Sequence, residues 1–334
     1  MQGSKDIDVS IIRDRILSIT SGEEFNALAL EIFHLQSRSE PNYRTFLEGL
    51  QRNGPVGDVK RIPFLPISAF KEHDVLLDGQ RPQITFTSSG TTGGNTSRHH
   101  VPWPDLYEAS FLRSFTLSYG DPQEWRILAL LPSYLEREGS SLVYMAERLI
   151  ALSRDPLSGT YLDRPDRLSE VLHLSERDGK RTLLLGVTFA LLDLAGRYPQ
   201  KLEHTIIMET GGMKGRRKEM VREEVHAELK AAFGVEKVHS EYGMTELLSQ
   251  AWSQGDGRFR CPPWMQVRIR DVNDPFATVP AGRTGGIDVI DLANIASCSF
   301  IATQDLGRMH TDGSFEVLGR FDHSDVRGCN LLVE

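Results

Sequence analysis

The sequence predicts an α/β protein whose mostly parallel sheets are flanked by helices and are followed by a β-rich C-terminal part. Residues 127–131, Ile-Leu-Ala-Leu-Leu, form an uninterrupted apolar segment, as is typical of a parallel strand covered on both faces. Segments with helical spacing of apolar residues alternate with such strands between about residues 104 and 233. From about residue 260 the pattern changes to short strands separated by Gly, Pro and Asp.

The individual elements follow in order along the chain. Ser21 and Glu24 have the spacing of a capping box, and the apolar residues after them share one face, so a helix is expected to begin there. The two prolines within residues 62–67 predict an extended segment. The remaining helices are predicted at residues 43–52, 104–117, 141–152, 167–176, 189–197 and 216–233. The remaining strands are predicted at residues 127–131, 182–185, 205–208, 267–269, 286–290, 298–302 and 315–318.

Domain organisation is predicted to be simple. No flexible linker interrupts the chain, so we expect residues 1–320 to form one large domain with a β-rich subregion from about residue 260. Residues 321–334 are expected to form a short C-terminal tail that carries Cys329.

Composition excludes several classes of protein. The 334 residues can bury a large core, and 40% hydrophobic and 25% charged residues are ordinary globular values. A net charge of −8 argues against nucleic acid as the main partner. Three widely spaced cysteines suggest neither a disulfide framework nor a zinc site. The polar N-terminus and the lack of a long apolar run predict a soluble, cytoplasmic protein without a transmembrane segment.

A run of small and hydroxylic residues is the first candidate binding segment. It follows the apolar residues 84–86 and consists of Thr87, Ser88, Ser89, Gly90, Thr91, Thr92, Gly93 and Gly94. Glycines allow positive φ and close approach to a ligand, while hydroxyls and successive N–H groups can bind phosphate. An ordinary surface loop has a similar composition. The Lys of a Walker loop is missing, and the nearest cation is Arg98.

Further segments add polar residues behind predicted strands. One predicted strand is followed by Gly211, Gly212 and Met213. Glycines at such a position can let the backbone lie against a ligand ring, or they can simply form a turn. Residues 242–246 are a candidate for a strand, a turn and the start of a helix. Their carboxylate could hold Mg²⁺ beside phosphate, or it could merely suit the first turn of a helix. Asp305 is predicted in a turn between strands, where it could bond locally or hold ribose hydroxyls.

Together and in this order, the segments resemble the motifs of the adenylate-forming ligase superfamily. The resemblance implies the large N-terminal domain of that superfamily, with ATP phosphates bound by residues 87–93 and adenine flanked by Gly211, Gly212 and Met213. It also implies roles in binding ATP and Mg²⁺ for Tyr242, Gly243, Thr245 and Glu246, with Glu246 as the metal ligand. Asp305 would bind ribose, Arg320 would contact phosphate or ribose, and Gly319-Arg320-Phe321-Asp322 would mark the hinge to a small C-terminal lid.

Four other segments resemble one particular family within this superfamily. Residues 63–71, 131–134, 209–216 and 326–329 resemble the LuxE-type acyl-protein synthetases. That family activates a fatty acid as acyl-AMP and passes the acyl group through a cysteine near its C-terminus to a partner acyl reductase. Only Cys329 matches this cysteine; without the family likeness it would be taken for a small apolar residue of a terminal strand.

The resemblance leaves alternative functions open. The chain ends twelve residues after Asp322, so most of the lid and its catalytic Lys are expected to be absent. This favours an acyl-protein synthetase over an ordinary CoA ligase. The alternatives are a ligase that loads an aryl or short-chain acid onto a carrier protein or CoA, and a nucleotide-binding subunit without ligase activity.

Overall fold

The computed structural model describes residues 9–52, 54–88, 96–131, 139–211 and 220–321. Its α-helices are α1 Val9–Ile16, α2 Gly22–Ser39, α3 Pro41–Gly49, α4 Ala69–Glu72, α5 Pro104–Tyr119, α6 Ser141–Ser153, α7 Pro165–Asp178, α8 Thr188–Arg197 and α9 Arg222–Phe233. Short 3₁₀ helices cover Val59–Arg61, Pro122–Glu124 and Leu292–Asn294.

The strands alternate with the helices in the middle of the chain and follow one another towards its end. They are β1 Leu65–Pro66, β2 Ile84–Thr87, β3 Arg98–Val101, β4 Arg126–Leu130, β5 Gly159–Thr160, β6 Thr182–Val187, β7 Thr205–Thr210, β8 His239–Tyr242, β9 Ala251–Ser253, β10 Phe259–Arg260, β11 Met265–Arg270, β12 Thr284–Asp291, β13 Phe300–Met309 and β14 Phe315–Arg320. This succession confirms the predicted α/β class.

The chain divides into two compact units, each made of segments that are distant in sequence. Unit 1 contains the described residues of Met1–Gln83, Ser97–Trp103 and Pro263–Glu334. Unit 2 contains those of Ile84–Thr96 and Pro104–Pro262.

Unit 1 is built on an antiparallel meander. Strands β11, β12, β13 and β14 pair with their sequence neighbours, and the short β1 pairs with β13 in parallel. The core of this unit contains a group of aromatic rings: Phe300 contacts the rings of Phe33, Tyr43 and Phe64 at centroid distances of 6.1, 6.2 and 6.3 Å. These rings attach α2 and α3 to the sheet, since Phe33 lies on α2 and Tyr43 on α3.

Unit 2 contains the parallel sheet. Strands β5, β4, β6, β7 and β8 lie side by side in parallel, and β9 and β10 continue the sheet in antiparallel directions. Strands β4 and β6 are buried over their whole length, as continuous apolar strands require when helices cover both faces. Strands β6, β7 and β8 end at Val187, Thr210 and Tyr242, so their carboxyl ends share one edge of the sheet.

Helix termini follow the local sequence signals in most places. The capping box at α2 is confirmed, because the Ser21 hydroxyl accepts from the Glu24 N–H at 3.2 Å and the Glu24 carboxylate accepts from the Ser21 N–H at 3.2 Å. Gly234 ends α9 in the left-handed conformation, as predicted. The predicted start of α9 at residue 216 is wrong: Val221 has extended backbone, and its N–H donates to the Glu224 carboxylate, so the helix begins at Arg222.

Two predictions near the candidate site are also corrected. No helix follows Tyr242, since residues 243–250 form turns and irregular chain. Asp305 lies inside the ten-residue strand β13 and not in a turn between strands, because it pairs with Arg320 of β14. A register shift between Leu306 and Gly307 bends the strand just after Asp305.

The described part of the chain has no helix with the length and apolarity that crossing a membrane requires.

Candidate active site

The predicted phosphate loop is described at its first two residues, Thr87 and Ser88. The predicted site residues that lie outside the described ranges are Ser89, Gly90, Thr91, Thr92, Gly93, Gly212, Met213 and Cys329. Thr87 ends β2, and its N–H donates to the Gly139 carbonyl at 2.7 Å. Gly139 has φ +84°, and a Cβ at this position would lie 2.8 Å from Thr87 Oγ1. A glycine at position 139 therefore holds the beginning of the loop.

The carboxyl edge of unit 2 begins with the turn after β7. Gly211 follows the last residue of the strand and has φ +70°, which favours glycine. A Cβ at Gly211 would meet no heavy atom of the described chain within 4 Å, so this stretch of backbone is open. The Thr188 hydroxyl at the start of α8 is hydrogen-bonded to the Gly211 carbonyl and lies 3.1 Å from the Glu209 carboxylate. An open, anchored glycine backbone suits the face of a flat ligand.

Glu209 is a buried carboxylate directly behind this turn. Its Oε1 lies 3.4 Å from Arg222 Nε and 3.8 Å from His226 Nε2, both on α9. Burial by itself raises the pKa of Glu209, but the contact with His226 and the charge of Arg222 outweigh it and hold the pKa below its ordinary value. Glu209 is therefore ionised at neutral pH and ties α9 to the end of β7.

The second strand at this edge places the Tyr-Gly-Met-Thr-Glu segment. Tyr242 is the last residue of β8, and its largely buried ring packs edge-on against Phe259 at 5.9 Å. Thr245 is half-buried, and Glu246 is only 6% exposed. Glu246 lies in a turn, so the interpretation that it merely suits the dipole of a helix is excluded.

Glu241 is a residue of this segment to which sequence reasoning assigned no role. It pairs in register with Thr210 of β7, whose hydroxyl donates to Glu241 Oε2 at 2.6 Å. Burial raises the pKa of Glu241 to about 7, the Thr210 hydrogen bond opposes this effect, and the charge of Glu209 adds to it. The sequence contains no signal for this, because the shift arises from a neighbouring strand.

Unit 1 carries the other two predicted site residues. Asp305 is 6% exposed, and its Oδ1 accepts from Arg320 Nε at 3.1 Å. Arg320 has 78% of its side chain exposed, so the pair has one buried and one solvated member. The structure thus brings Asp305 and Arg320 together, although their roles towards a nucleotide stay predictions.

A partly buried arginine holds the strand that carries Asp305. Arg270 Nη2 donates to the Thr303 carbonyl at 2.6 Å, and Nη1 donates to Asp288 Oδ1 at 2.5 Å. The Thr303 hydroxyl in turn accepts from the Asp305 N–H at 3.1 Å. The Arg270 guanidinium also lies 5.6 Å from the ring centroid of Phe321, next to Arg320. Sequence reasoning missed Arg270, which nothing distinguishes from other strand arginines.

Cations and metal ligands were also expected near the phosphate loop. Arg98 pairs with Asp74, with 2.9 Å between Nη2 and Oδ1, so its charge is partly neutralised within unit 1. Within the described ranges no three His, Cys, Asp or Glu side chains form a metal cluster. Mg²⁺ commonly binds through one or two carboxylates with phosphate and water oxygens. The buried Glu246 carboxylate, in a turn at the sheet edge, fits that mode of binding.

The fold is that of the adenylate-forming enzymes. ATP-bound MatB from Rhodopseudomonas palustris is similar with a TM-score of 0.55 and 20% identity, covering 71% of this chain and 47% of MatB. An open conformation of 2-hydroxyisobutyryl-CoA ligase, in complex with 2-HIB-AMP and CoA, has a TM-score of 0.65 and 14% identity, covering 97% of this chain and 75% of that one. The chain therefore spans about half the length of MatB.

Sequence comparison shows similarity to one family of these enzymes over part of the chain. Residues 185–334 match the family described as acyl-protein synthetase, LuxE. A long-chain-fatty-acid–luciferin-component ligase from Vibrio harveyi is 22% identical over 314 residues, which cover 87% of this chain and 82% of the relative. These findings confirm the resemblance to the LuxE family that the motifs predicted.

Proposed function

We propose that this chain uses ATP to activate a carboxylic acid, most notably a long-chain fatty acid, as an acyl adenylate and transfers the acyl group to Cys329. From this thiol the acyl group would pass to a partner acyl reductase or carrier protein. The LuxE match over residues 185–334 supports the proposal, as does the name of the Vibrio harveyi relative, a long-chain fatty acid ligase.

The observation that carries the proposal is the carboxyl edge of unit 2. There β7 ends in the open backbone of Gly211, and β8 ends in Tyr242, followed by the turn with Thr245 and Glu246. In open α/β sheets, ligands bind at the carboxyl ends of the strands. Glycine backbone, an aromatic residue, a hydroxyl and a carboxylate together suit a nucleotide whose phosphates carry a metal ion.

In the first half-reaction a carboxylate oxygen of the acid attacks the α-phosphorus of ATP. A bond forms between this oxygen and the α-phosphorus, and the bond from the α-phosphorus to pyrophosphate breaks. The protein has to position two anions and stabilise the charge that develops. Thr87 and the residues up to Gly93 would bind phosphate, Gly211 and Tyr242 would contact adenine, and Thr245 would contact phosphate.

Glu246 would hold Mg²⁺, which supplies positive charge against the phosphate oxygens when it is bound. In unit 1, Asp305 would bind the ribose hydroxyls, and Arg320 would leave part of its contact with Asp305 to reach a phosphate or ribose oxygen.

In the second half-reaction the Cys329 thiolate attacks the acyl carbon, and AMP leaves with the bonding electrons of the C–O bond. Nearby Arg327 would favour the thiolate. Cys298 is fully buried, and burial raises the pKa of its thiol, so it stays protonated. Cys261 is half-buried.

Acid-dependent exchange of labelled pyrophosphate into ATP tests the first half-reaction. Exchange should require an added acid. Within a panel of long-chain, short-chain and aromatic acids, a long-chain acid should give the highest rate. Faster exchange with an aromatic or short-chain acid would favour the alternative ligase. ATP binding without exchange for any acid, alone or with a partner reductase, would indicate a nucleotide-binding subunit and contradict the proposal.

Acylation of the protein tests the second half-reaction. Labelled fatty acid and ATP should give a label on the full chain that hydroxylamine removes, because thioesters react with hydroxylamine. Cys329→Ser should abolish that label and leave pyrophosphate exchange intact, whereas the matched variant Cys261→Ser should keep both. A hydroxylamine-labile label that persists in Cys329→Ser would show that the thiol assignment is wrong.

A further inference from the structure

Glu241 is a carboxyl group at the carboxyl edge of unit 2 that the proposed reaction does not use. Its two oxygens differ in their surroundings. Oε2 accepts a hydrogen bond from the Thr210 hydroxyl at 2.6 Å. Oε1 lies against Gly243, where a Cβ would overlap it, and none of the described residues is hydrogen-bonded to it. One oxygen of a partly buried carboxyl group is thus left for something outside the described chain.

Gln250 is a second polar side chain beside the same glycine. Its Cγ lies 3.4 Å from the position of a Cβ at Gly243, and the residue is only 4% exposed. The Tyr107 hydroxyl donates to the Ser141 carbonyl at 3.0 Å, so the hydrogen bond between Tyr107 and Gln250 uses the amide nitrogen of Gln250 as donor. Gln250 Oε1 is buried and has no hydrogen-bond partner among the described residues.

An unpaired buried polar atom costs roughly 1–3 kcal/mol, so Gln250 Oε1 calls for a hydrogen-bond partner. Gly243 itself follows β8 at the edge where ligands of α/β sheets bind. A polar group of a ligand bound at Gly243 would provide the missing hydrogen bonds of the Glu241 and Gln250 side chains. The geometry therefore points to a polar contact site on Gly243, formed by Glu241 and Gln250.

The electrostatic surroundings decide which form of Glu241 acts there. Glu209 faces it from β7, together with the Thr210 hydroxyl, and Tyr107 faces it from α5. Within the described ranges no cation forms an ion pair with Glu241, whereas Glu209 has Arg222 and His226. Burial and the charge of Glu209 raise the pKa of Glu241 to about 7 against the opposing Thr210 hydrogen bond. A large fraction of Glu241 is therefore neutral at pH 7, and a neutral carboxylic acid can donate a hydrogen bond.

We infer that Glu241 is a substrate-contacting residue which, as a neutral acid, donates a hydrogen bond from Oε1 to an oxygen of the acyl head group at Gly243. The inference deepens the proposed function and rests on it. The ionised form of Glu241 repels the oxygen-rich head group and cannot donate, so the contact exists only below the pKa. Gln250 keeps the same surface polar and accepts a hydrogen bond from a water or hydroxyl group bound there.

Calorimetric binding of a long-chain acyl sulfamoyl adenosine, a stable mimic of the acyl adenylate, tests the inference on the full chain. Between pH 6 and pH 8 the wild-type affinity should fall about tenfold, because the neutral fraction of Glu241 falls from about nine-tenths to about one-tenth. Glu241→Gln keeps a donor that does not titrate, so it should bind with nearly constant affinity. Glu241→Ala should bind weakly at both pH values.

Thr210→Val is the matched control for the role of the proton. It preserves side-chain shape but removes the hydrogen bond that stabilises ionised Glu241, so the fall in affinity should move to higher pH. ATP affinity without acid should be unchanged in the Glu241 variants, which shows that they are folded. The inference is overturned if Glu241→Ala binds the mimic like wild type, or if Glu241→Gln keeps the wild-type pH dependence. Absence of mimic binding by the wild-type protein would instead refute the proposed function itself.

Discussion

Replacing Arg270 by Met removes a partly buried charge from unit 1 and keeps a side chain of comparable length. In the wild type, Nη1 donates to Asp288 Oδ1 at 2.5 Å and to the Ile287 carbonyl at 2.9 Å, while Nη2 donates to the Thr303 carbonyl at 2.6 Å. These contacts join β11, β12 and β13, and the Thr303 hydroxyl connects them to the backbone of Asp305. The substitution therefore acts on the strand that carries a candidate ribose ligand.

The expected loss of stability follows from what is left behind. Asp288 is 3% exposed and would lose its direct ion-pair partner, and removing one member of a buried pair costs about 3–5 kcal/mol. The Ile287 carbonyl would still accept from the Thr303 hydroxyl at 2.8 Å, so its lost bond adds little. We therefore expect Arg270→Met to destabilise the protein by about 3–5 kcal/mol.

The double variant Arg270→Met with Asp288→Leu separates the lone charge from the packing. Replacing both members of a buried pair by apolar side chains is often nearly neutral, so the double variant should recover at least about 2 kcal/mol of the loss. Urea unfolding followed by circular dichroism measures both values, with the slope of the transition checked for constancy. ATP affinity should fall in the single variant, because the Thr303 carbonyl loses its hydrogen bond from Arg270 and the strand that carries Asp305 is held less firmly.

Two results would refute this reasoning. One is a single variant within about 1 kcal/mol of the wild type, since a buried charge without its partner cannot be so cheap. The other is a double variant less stable than the single one, which would mean that packing and not the unpaired charge of Asp288 dominates.

Three further predictions concern unit 2. Gly243→Ala should weaken binding of the acyl adenylate mimic, because the new Cβ displaces Glu241 Oε1; unchanged mimic affinity in calorimetry would contradict this. Gly139→Ala should weaken ATP binding and destabilise the protein by at least about 1 kcal/mol, since φ is +84° and the Cβ would press on Thr87; equal melting temperature and affinity would refute it. Burial lowers the pKa of His239 to about 4, so His239 binds a proton in the unfolded chain at a higher pH than in the folded one, and stability falls as pH drops from 6.5 to 4. His239→Gln should make the melting temperature less dependent on pH across that window. An unaltered pH profile of the melting temperature would count against this.

The motifs of the candidate site were located from sequence with different success. Gly211 lies directly behind its strand, as predicted, and its φ of +70° favours glycine at that position. Tyr242 ends its strand as expected, but the predicted helix after it is absent. Asp305 was expected in a turn, since Asp is common there, yet its pairing with Arg320 of β14 keeps it in β13. Local propensity was overridden where neighbouring strands satisfied the backbone.

By itself, the sequence determined the α/β class, the buried parallel strands, the capping of α2 and the family likeness. These properties are carried by residues close together in the chain, through periodicity, capping and glycine conformation. Tertiary structure alone decided that the pKa of Glu241 is raised to about 7, that Asp305 pairs with Arg320, and that Arg270 holds the strand of Asp305. Each of these depends on contacts between strands, because burial and the distance between charges exist only once the sheet has formed.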